Sequence, residues 1–490
     1  MMKRSDDAMK TWNQLFIRQG FVVEEKHPNE FICTNERKEN VEFLLKSLDV
    51  ANVDYTFWND VLTIDSPPIS EKQWLKAVDF PQRGVWEAIG VEEPKVFELD
   101  TYMSGIIREL NRLGLRTVFC CDGHEERSPY VCLDERTNIE KVLQLLNALQ
   151  VNVHLRHSRF HKVVFLTKRE QLLDLAEHMR NVQVDWLEQG EQYIRKMLFL
   201  HTLEELLSIS GESGNEHHIR SVVYEKLAPY VDRITTDQYG NLLAQKKCQT
   251  GHGPTILLNA HLDTVEAFAP GRTIVKQGAI WSSSKGILGA DDRAGVAVLL
   301  EMAKWLDTSS FNGTIKFVFT VEEECGLVGA RKLEEYFLWD VDAAIVVDRR
   351  GSGDIVTSCG TIRPFCDIRY GQFFEQVARD IGLTHWTCTA GRSSDTRIWA
   401  EHGIQSVNLS AGYEWEHTDD EILNTDACYG TVQLIQAVLN QWRDFSTMLR
   451  NLRRGDRNDV CYVGRNDLRR VDRKVVKVER VSKVKSKQME

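Results

Sequence analysis

The sequence predicts an α/β protein: a three-layer α/β/α domain around a mostly parallel central sheet, preceded by a smaller α+β region. Two observations carry that expectation. From Lys196 onward, short apolar runs of strand character alternate with amphipathic stretches of helical period. Before it, residues 41–80 and 140–180 repeat one order of elements: helix, strand, strand, helix. The 490 residues leave room for about three domains at ~150 residues each. The divisions fall at 1–195, a region of no evident role, 196–445, and a basic tail over 446–490.

With 42% hydrophobic and 27% charged residues, the chain has the composition of a folded globular protein. No apolar run reaches the ~18–20 residues that a membrane-spanning helix requires. The start, Met1-Met2-Lys3-Arg4-Ser5-Asp6-Asp7, turns acidic where a signal peptide turns apolar, so a cytoplasmic protein is expected. The eleven cysteines are dispersed and odd in number, as reduced thiols would be. A net charge of −11 makes the body a poor partner for polyanions. Residues 450–490 differ, with 14 basic against 6 acidic side chains. Nucleic acid or an anionic surface is a candidate partner for that stretch alone, and a solvated tail explains it more simply.

In the front region each copy opens on an amphipathic helix and runs into a hairpin. The first reads Val41-Glu-Phe-Leu-Leu-Lys-Ser-Leu, then Val53-Asp-Tyr-Thr-Phe-Trp, a turn at Asn59-Asp60, and Val61-Leu-Thr-Ile. The second reads Val142-Leu-Gln-Leu-Leu-Asn-Ala-Leu, then Val153-His-Leu-Arg-His, a turn from Ser158, and Lys162-Val-Val-Phe-Leu. Apolar positions three and four apart make the helices, and alternation around turn-forming residues makes the hairpins. Helical patterns at 71–77 and 168–178 close the copies. Between them, 102–113 is helical in period, Gly114 stops it, and 116–121 reads as a buried strand. That strand ends in Cys120-Cys121-Asp122-Gly123-His124, with Cys132 beyond. Adjacent residues of a strand point to opposite faces, so the paired thiols cannot easily share an ion. Cysteine as core filler and Asp-Gly as a turn account for them. His157 and His161 flank the second hairpin turn, where exposure accounts for them.

In the second region, residues 197–209 and 216–227 read as helices separated by the loop Ser210-Gly-Glu-Ser-Gly214, and Asp237-Gln-Tyr-Gly-Asn241 as a turn. Strand 255–260, helix 293–306, strand 314–320, helix 328–337 and strand 343–347 then alternate, as in a parallel sheet covered by helices. In such sheets ligands collect at the carboxyl ends of the strands. Polar residues stand there: His261-Leu-Asp263, Gly289-Ala-Asp291-Asp292, Glu322-Glu323-Glu324, Asp348, and Glu416-His417 beyond the short strand 406–409. Each separation exceeds the dozen residues that a parallel crossover requires, so all five groups can share one rim.

Clustered carboxylates repel one another and lose hydration, so a cation is their natural partner. Mixed imidazole and carboxylate donors suit zinc or a related divalent ion. Two His and three carboxylates exceed one tetrahedral shell and suit two ions ~3.5–4 Å apart with a shared carboxylate. Asp263, two residues past His261 on the same strand face, can accept its second ring N–H and fix the tautomer. Of Glu323 and Glu324, one can be a ligand and the other a free base for water attacking a carbonyl.

Together, His261-Leu-Asp-Thr-Val, Gly289-Ala-Asp-Asp-Arg-Ala-Gly-Val, Glu323-Glu-Cys-Gly-Leu-Val-Gly-Ala, Val346-Val-Asp348 and His417-Thr-Asp-Asp-Glu421 resemble the signature set of the dinuclear zinc exopeptidases. That superfamily includes peptidase T, the glutamyl aminopeptidases and the carboxypeptidase G type of amidohydrolase, and the wording is nearest peptidase T. Ser210-Gly-Glu-Ser-Gly and Tyr239-Gly-Asn241-Leu-Leu-Ala resemble the start of the same domain, so the likeness spans residues 196–442. It implies that His261 and Asp348 hold one metal, that Glu324 and His417 hold the other, and that Asp291 bridges them. It also implies a cis peptide between Asp291 and Asp292, Asp263 as the residue orienting His261, and Glu323 as general base. Asp395, in Ser394-Asp395-Thr396, falls on a supporting element. The cofactor is then a pair of divalent ions, zinc ahead of cobalt or manganese.

Relatives of the peptidase T and carboxypeptidase types carry a lid domain between the positions of Asp348 and His417. Here 69 residues separate the two, room for core elements alone. The 30 residues from His261 to Asp291 likewise leave no place for the insertion of the glutamyl aminopeptidases. The expectation is a lid-less zinc exopeptidase that hydrolyses short peptides through a metal-bound hydroxide, working from the N-terminus. An N-acyl amino acid deacylase with the same metals is the rival enzyme. A non-catalytic metal-binding scaffold is the rival outside enzymes, and an intact Glu323 speaks against it. The front region is a candidate cover for the site in place of the lid.

Overall fold

The computed structural model describes residues 10–80, 83–84, 94–157, 160–360 and 363–453. The chain divides into two compact units that meet between Glu204 and Glu205. The basic tail beyond residue 453 and the hairpin turn at 158–159 lie outside the described residues.

The first unit runs through one string of seven elements twice. Helix α1 (Trp12–Arg18), strands β1 (Glu24–His27) and β2 (Glu30–Ile32), α2 (Lys38–Val50), β3 (Tyr55–Trp58), β4 (Val61–Ile64) and α3 (Glu71–Val78) form the first pass. The second is α4 (Ser104–Arg112), β5 (Thr117–Cys121), β6 (Tyr130–Leu133), α5 (Ile139–Ala148), β7 (Val153–His157), β8 (His161–Phe165) and α6 (Gln171–Arg180). Each pass makes an antiparallel sheet of the same connectivity, β1-β2-β4-β3 and β5-β6-β8-β7. The shared order reaches one helix and one hairpin further toward the N-terminus than the sequence pattern does. Those pieces escape a pattern search because β1, Glu-Glu-Lys-His, is exposed along its whole length and shows no apolar alternation.

Helix α2 turns Val41, Leu44 and Leu48 toward Trp12, Phe16, Phe31, Leu62 and Trp74, the core of the first pass. Helices α1 and α3 both open on capping boxes, Thr11 with Gln14 and Ser70 with Gln73. In the second pass Val142, Leu145 and Leu146 of α5 meet Ile106, Ile107, Val131, Val163 and Leu175. Helix α7 (Glu191–Leu207) starts earlier than the expected residue 197. Gly190, at φ 85, ends the preceding loop. The Glu-Gln-Tyr-Ile-Arg-Lys stretch after it has helix propensity without much apolar period.

The second unit continues with α8 (His217–Leu227), β9 (Arg233–Thr236), β10 (Leu242–Cys248), β11 (Thr255–His261), β12 (Ile274–Gln277), β13 (Ile280–Ser283), α9 (Ala290–Trp305) and β14 (Gly313–Thr320). Then come α10 (Val328–Lys332), β15 (Ala343–Arg349), β16 (Asp354–Cys359), β17 (Arg363–Pro364), α11 (Ile368–Asp380), β18 (Thr387–Gly391) and α12 (Asp395–Glu401). Strands β19 (Gln405–Ser410), β20 (Tyr413–Glu414) and β21 (Ile422–Asn424) and helix α13 (Thr425–Asn440) follow. Residues 442–453, which run into the stretch expected as a tail from 446, are helical and bury Phe445, Leu449 and Leu452.

Its main sheet is ordered β17-β16-β19-β15-β11-β14-β10-β9, with β18 beside β16. The centre, β14-β11-β15-β19, is parallel, and β9, β10, β16 and β17 join it antiparallel. Strand β11 is buried at every position, as expected of a strand covered on both faces. Leu257, Val318, Ala344 and Val346 cluster with Ala330 of α10 and with Ile398 and Trp399 of α12. Helix α9 packs on β11 and β15 outside that cluster, with α13 beside it, giving the expected three layers. The helix expected over 328–337 is shorter. It stops at Lys332, where Leu333 leaves helical geometry to bury its side chain, and a 3-10 turn, Glu335–Phe337, follows. No helix among the described residues is long and apolar enough to cross a membrane.

Candidate metal centre

The carboxyl ends of the parallel strands bring the five polar groups to one place. His261 is the last residue of β11 and is 2% exposed. Its Nε2 lies 3.0 Å from Asp291 Oδ1 and 3.7 Å from Asp348 Oδ1. His417 Nε2 lies 3.2 Å from Asp291 Oδ2 and 2.7 Å from Glu324 Oε1. Asp291 therefore stands between the two imidazoles, one oxygen toward each. Donor atoms of His261, Asp291 and Asp348 fall within 4.8 Å of one another. The same holds for Asp291, Glu324 and His417, and for His261, Glu323 and Glu324.

The turn into α9 aims Asp291. Gly289, at φ 71, opens it, and a Cβ there would meet the Phe268 ring at 2.5 Å. The peptide between Asp291 and Asp292 is cis. Glu421 pins the turn: its Oε2 accepts the Gly289 N–H at 2.7 Å and its Oε1 the Asp291 N–H at 3.0 Å. Asp292 points away from the donors. Its Oδ2 accepts the His261 backbone N–H at 3.2 Å and its Oδ1 that of Gly295 at 2.9 Å.

Asp263 is fully buried and every one of its bonds is structural in effect. Its Oδ1 lies 3.2 Å from His261 Nδ1, without the alignment of a regular hydrogen bond. The same oxygen accepts the Glu323 N–H at 2.9 Å. Oδ2 accepts the Glu324 N–H at 3.0 Å and the Ser213 hydroxyl at 2.8 Å. One carboxylate thus ties the strand of His261 to the Glu323–Glu324 turn, a wider task than fixing a tautomer. Asp348 Oδ1 accepts the Tyr413 hydroxyl at 3.0 Å, and Asn408 brackets the Asp348 backbone, accepting its N–H at 2.9 Å and donating to its carbonyl at 2.7 Å. Asp395 sits behind the group. Its Oδ2 accepts from Thr320 Oγ at 2.5 Å and Asn259 Nδ2 at 3.4 Å, while its Oδ1 is buried without a partner. Ser213, Asn408, Tyr413 and Glu421 had no role from the sequence, although Ser213 and Glu421 lie inside its motifs.

The electrostatics show a shortage of positive charge. Burial, with the charge of Asp348 added, pushes the Glu323 carboxyl up to about 10. Burial raises Asp395 to about 7 against the Thr320 hydrogen bond, and raises Asp292, Glu324 and Asp348 as well. Burial would lower His261, but Asp263, Asp291 and Asp348 hold it well above the ordinary imidazole value. Asp291 and Glu324 push His417 up to about 10. Asp291 itself is lowered, its burial outweighed by the two imidazoles. Carboxyls that resist ionising beside imidazoles that retain protons are what a cation site looks like before its charge is supplied. A nitrogen and oxygen donor set with no thiolate in it fits divalent cations.

Residues 241–441 match the model of peptidase family M28. Among curated proteins, the uncharacterized protein YqjE of Bacillus subtilis is 34% identical over 29% of this chain and 40% of its own. The cytosol non-specific dipeptidase of Escherichia coli is 29% identical over 28% of this chain and 31% of its own. The chain therefore spans less than half the length of either relative. A solved structure, aminopeptidase PepT from Bacillus cereus, aligns with a TM-score of 0.46 at 20% identity, over 50% of this chain and 98% of that one. His261, Asp263, Asp291, Glu323, Glu324, Asp348 and His417 all fall inside the segment that the family model matches. The likeness to peptidase family M28 thus rests on residues 241–441, and the metal-ligand motifs read from the sequence lie within it.

Proposed function

We infer that the chain is a metal-dependent exopeptidase that removes residues from the N-terminus of short peptides. A pair of divalent ions, zinc foremost and cobalt or manganese in its place, is its cofactor. The observation that carries this reading is the place of Asp291, 3.0 Å from His261 through one oxygen and 3.2 Å from His417 through the other. In it, His261 and Asp348 would hold one ion, Glu324 and His417 would hold the other, and Asp291 would serve both. Ions held there supply Lewis acidity to a carbonyl oxygen and lower the pKa of a water molecule.

Glu323 carries the proton. Its carboxyl is raised by burial and by Asp348, the direction a proton carrier requires, and cations held beside it would lower that value. It accepts a proton from the attacking water and delivers one to the departing nitrogen. Asp263 keeps base and ligand in register by holding the backbone N–H groups of both Glu323 and Glu324. Tyr413 and Asn408 fix Asp348 from its side chain and its backbone. These supports leave the reacting groups little freedom to drift, which preserves the geometry on which rate depends.

Attack from the N-terminus is supported by compactness. The described residues between Asp348 and His417 form β16 to β19 with α11 and α12, in or beside the main sheet, and β20, which joins the small sheet β12-β13-β21-β20, with no separate lid among them. Val265 and Trp415, 44% and 55% exposed, stand two residues from Asp263 and His417 and offer an apolar rim to a substrate side chain. The test is hydrolysis of free-amino dipeptides and tripeptides beside their N-acylated counterparts, with Glu323→Gln as control. Cleavage of the free-amino set, lost in the variant, is expected. Cleavage of the N-acylated set alone makes the protein a deacylase, and cleavage of neither with metal bound makes it a scaffold.

A further inference from the structure

We propose that the second pass of the N-terminal unit carries a separate single-ion site of zinc type, built from Cys121, Asp122 and His124. Cys121 ends β5. Strand alternation sends Cys120 into the core, 3% exposed, and turns Cys121 to the other face, so one thiol is free of the pair. Gly123, His124 and Glu125 then follow with φ of 78°, 49° and 63°, three left-handed residues in a row. They fold the chain back until His124 Nδ1 stands 3.1 Å from Asp122 Oδ1. A sulfur of Cys121, an oxygen of Asp122 and a ring nitrogen of His124 lie within 4.8 Å of one another. Tetrahedral zinc, with bonds of ~2.0–2.3 Å, spaces its donors ~3.3–3.7 Å apart, so the three require little adjustment to share an ion.

The surroundings suit a cation. The Gly123 N–H donates to Cys121 Sγ at 3.4 Å and works toward the thiolate, against burial and the charges of Asp100 and Asp122, which raise the thiol until a cation is present. Asp122 is held by its neighbours: its N–H donates to Asp100 Oδ2 at 3.0 Å, and its Oδ1 accepts the His124 N–H at 2.9 Å. Arg169 pairs with Glu125 and lies 3.6 Å from Asp122 Oδ2, which leaves Oδ1 on the side of His124. Asp100, Asp122 and Glu125 still outnumber the two guanidiniums near the site, Arg169 and Arg127. Thiolate, imidazole and carboxylate select a borderline ion such as zinc over magnesium or calcium, and three protein donors leave a fourth position for water or an incoming ligand.

The experiment is Co2+ loading of the chelator-stripped full-length protein, read by the near-ultraviolet sulfur-to-cobalt charge-transfer band. The donor groups of the peptidase centre contain no thiolate, so the band separates the two sites. Its final intensity should correspond to one thiolate-bound ion per chain, among the three ions the two sites together would take, and it should vanish in Cys121→Ser and in His124→Ala. It should persist in Cys325→Ser, which removes the exposed thiol beside Glu324. His124 is 68% exposed, so its variant is expected to fold, and circular dichroism checks that it does. A wild-type protein without the band overturns the site, and so does a band that disappears with Cys325 and survives the loss of Cys121.

Discussion

The backbone N–H of Glu323 donates to Asp263 Oδ1 at 2.9 Å, and that oxygen also faces His261 Nδ1 at 3.2 Å. The strand that supplies the His261 imidazole therefore also sets the place of the Glu323 carboxyl. Asp263→Asn keeps the shape but points an NH2 group at an N–H or at the imidazole. Metal affinity and kcat/KM are each expected to fall ~10–100-fold, with the secondary structure unchanged. Chelator competition and steady-state kinetics measure the two. Wild-type values in both would remove Asp263 from the site's support.

Glu323→Gln separates proton transfer from metal binding. The amide keeps the size of the side chain and cannot accept a proton at neutral pH. A fall of ~10²–10⁴-fold in kcat is expected with metal content preserved. Loss of metal along with activity would make Glu323 a ligand rather than the base.

Metal binding should be coupled to pH with a definite sign. In the cation-free centre Asp291 and Glu324 push His417 up to about 10, so it is protonated at neutral pH. A metal ligand must be the neutral imidazole, so binding releases a proton and affinity rises with pH until about 10. Calorimetric titration in buffers of different ionisation enthalpy counts the protons released. Affinity that is flat between about pH 6 and 8, with no proton release, would contradict the assignment of His417.

In the N-terminal unit, Arg108 and Glu36 meet at 2.8 Å with side chains 5% and 0% exposed. Glu36 also accepts the Val22 N–H at 2.6 Å and Asn40 Nδ2 at 2.8 Å. Arg108→Ala leaves a buried carboxylate without its countercharge and should cost about 3–5 kcal/mol in the stability of that unit. Hydrogen exchange on β2 and α2 in the full chain reads it locally. A loss below about 1 kcal/mol would mean that the remaining donors suffice.

What was legible in the sequence follows from where periodic structure ends. His261, Asp348 and the Glu323–Glu324 pair sit just past apolar strands, and Asp291 at the head of a helix, so chain geometry alone brings them to one rim. Ser213, Asn408 and Tyr413 act on partners 50, 60 and 65 positions away, and no local period points across such a distance. Strand β1 and the start of α7 were hidden for the opposite reason: β1 has no buried position, and the first turns of α7 bury Ile194 without a repeating apolar period. Alternation does separate Cys120 from Cys121, as read from the sequence. The left-handed run from Gly123 to Glu125, which returns His124 toward Cys121, leaves no pattern to read.

Metal content is the most direct test of a carboxylate shared between two ions. Zinc is counted by atomic emission in the Cys121→Ser protein, which silences the proposed N-terminal site, and in the same protein carrying Asp291→Ala. Two equivalents are expected in the first and fewer than one in the second, because removing Asp291 takes a donor from both positions at once. Two equivalents surviving the loss of Asp291, or none in its presence, would contradict the paired site.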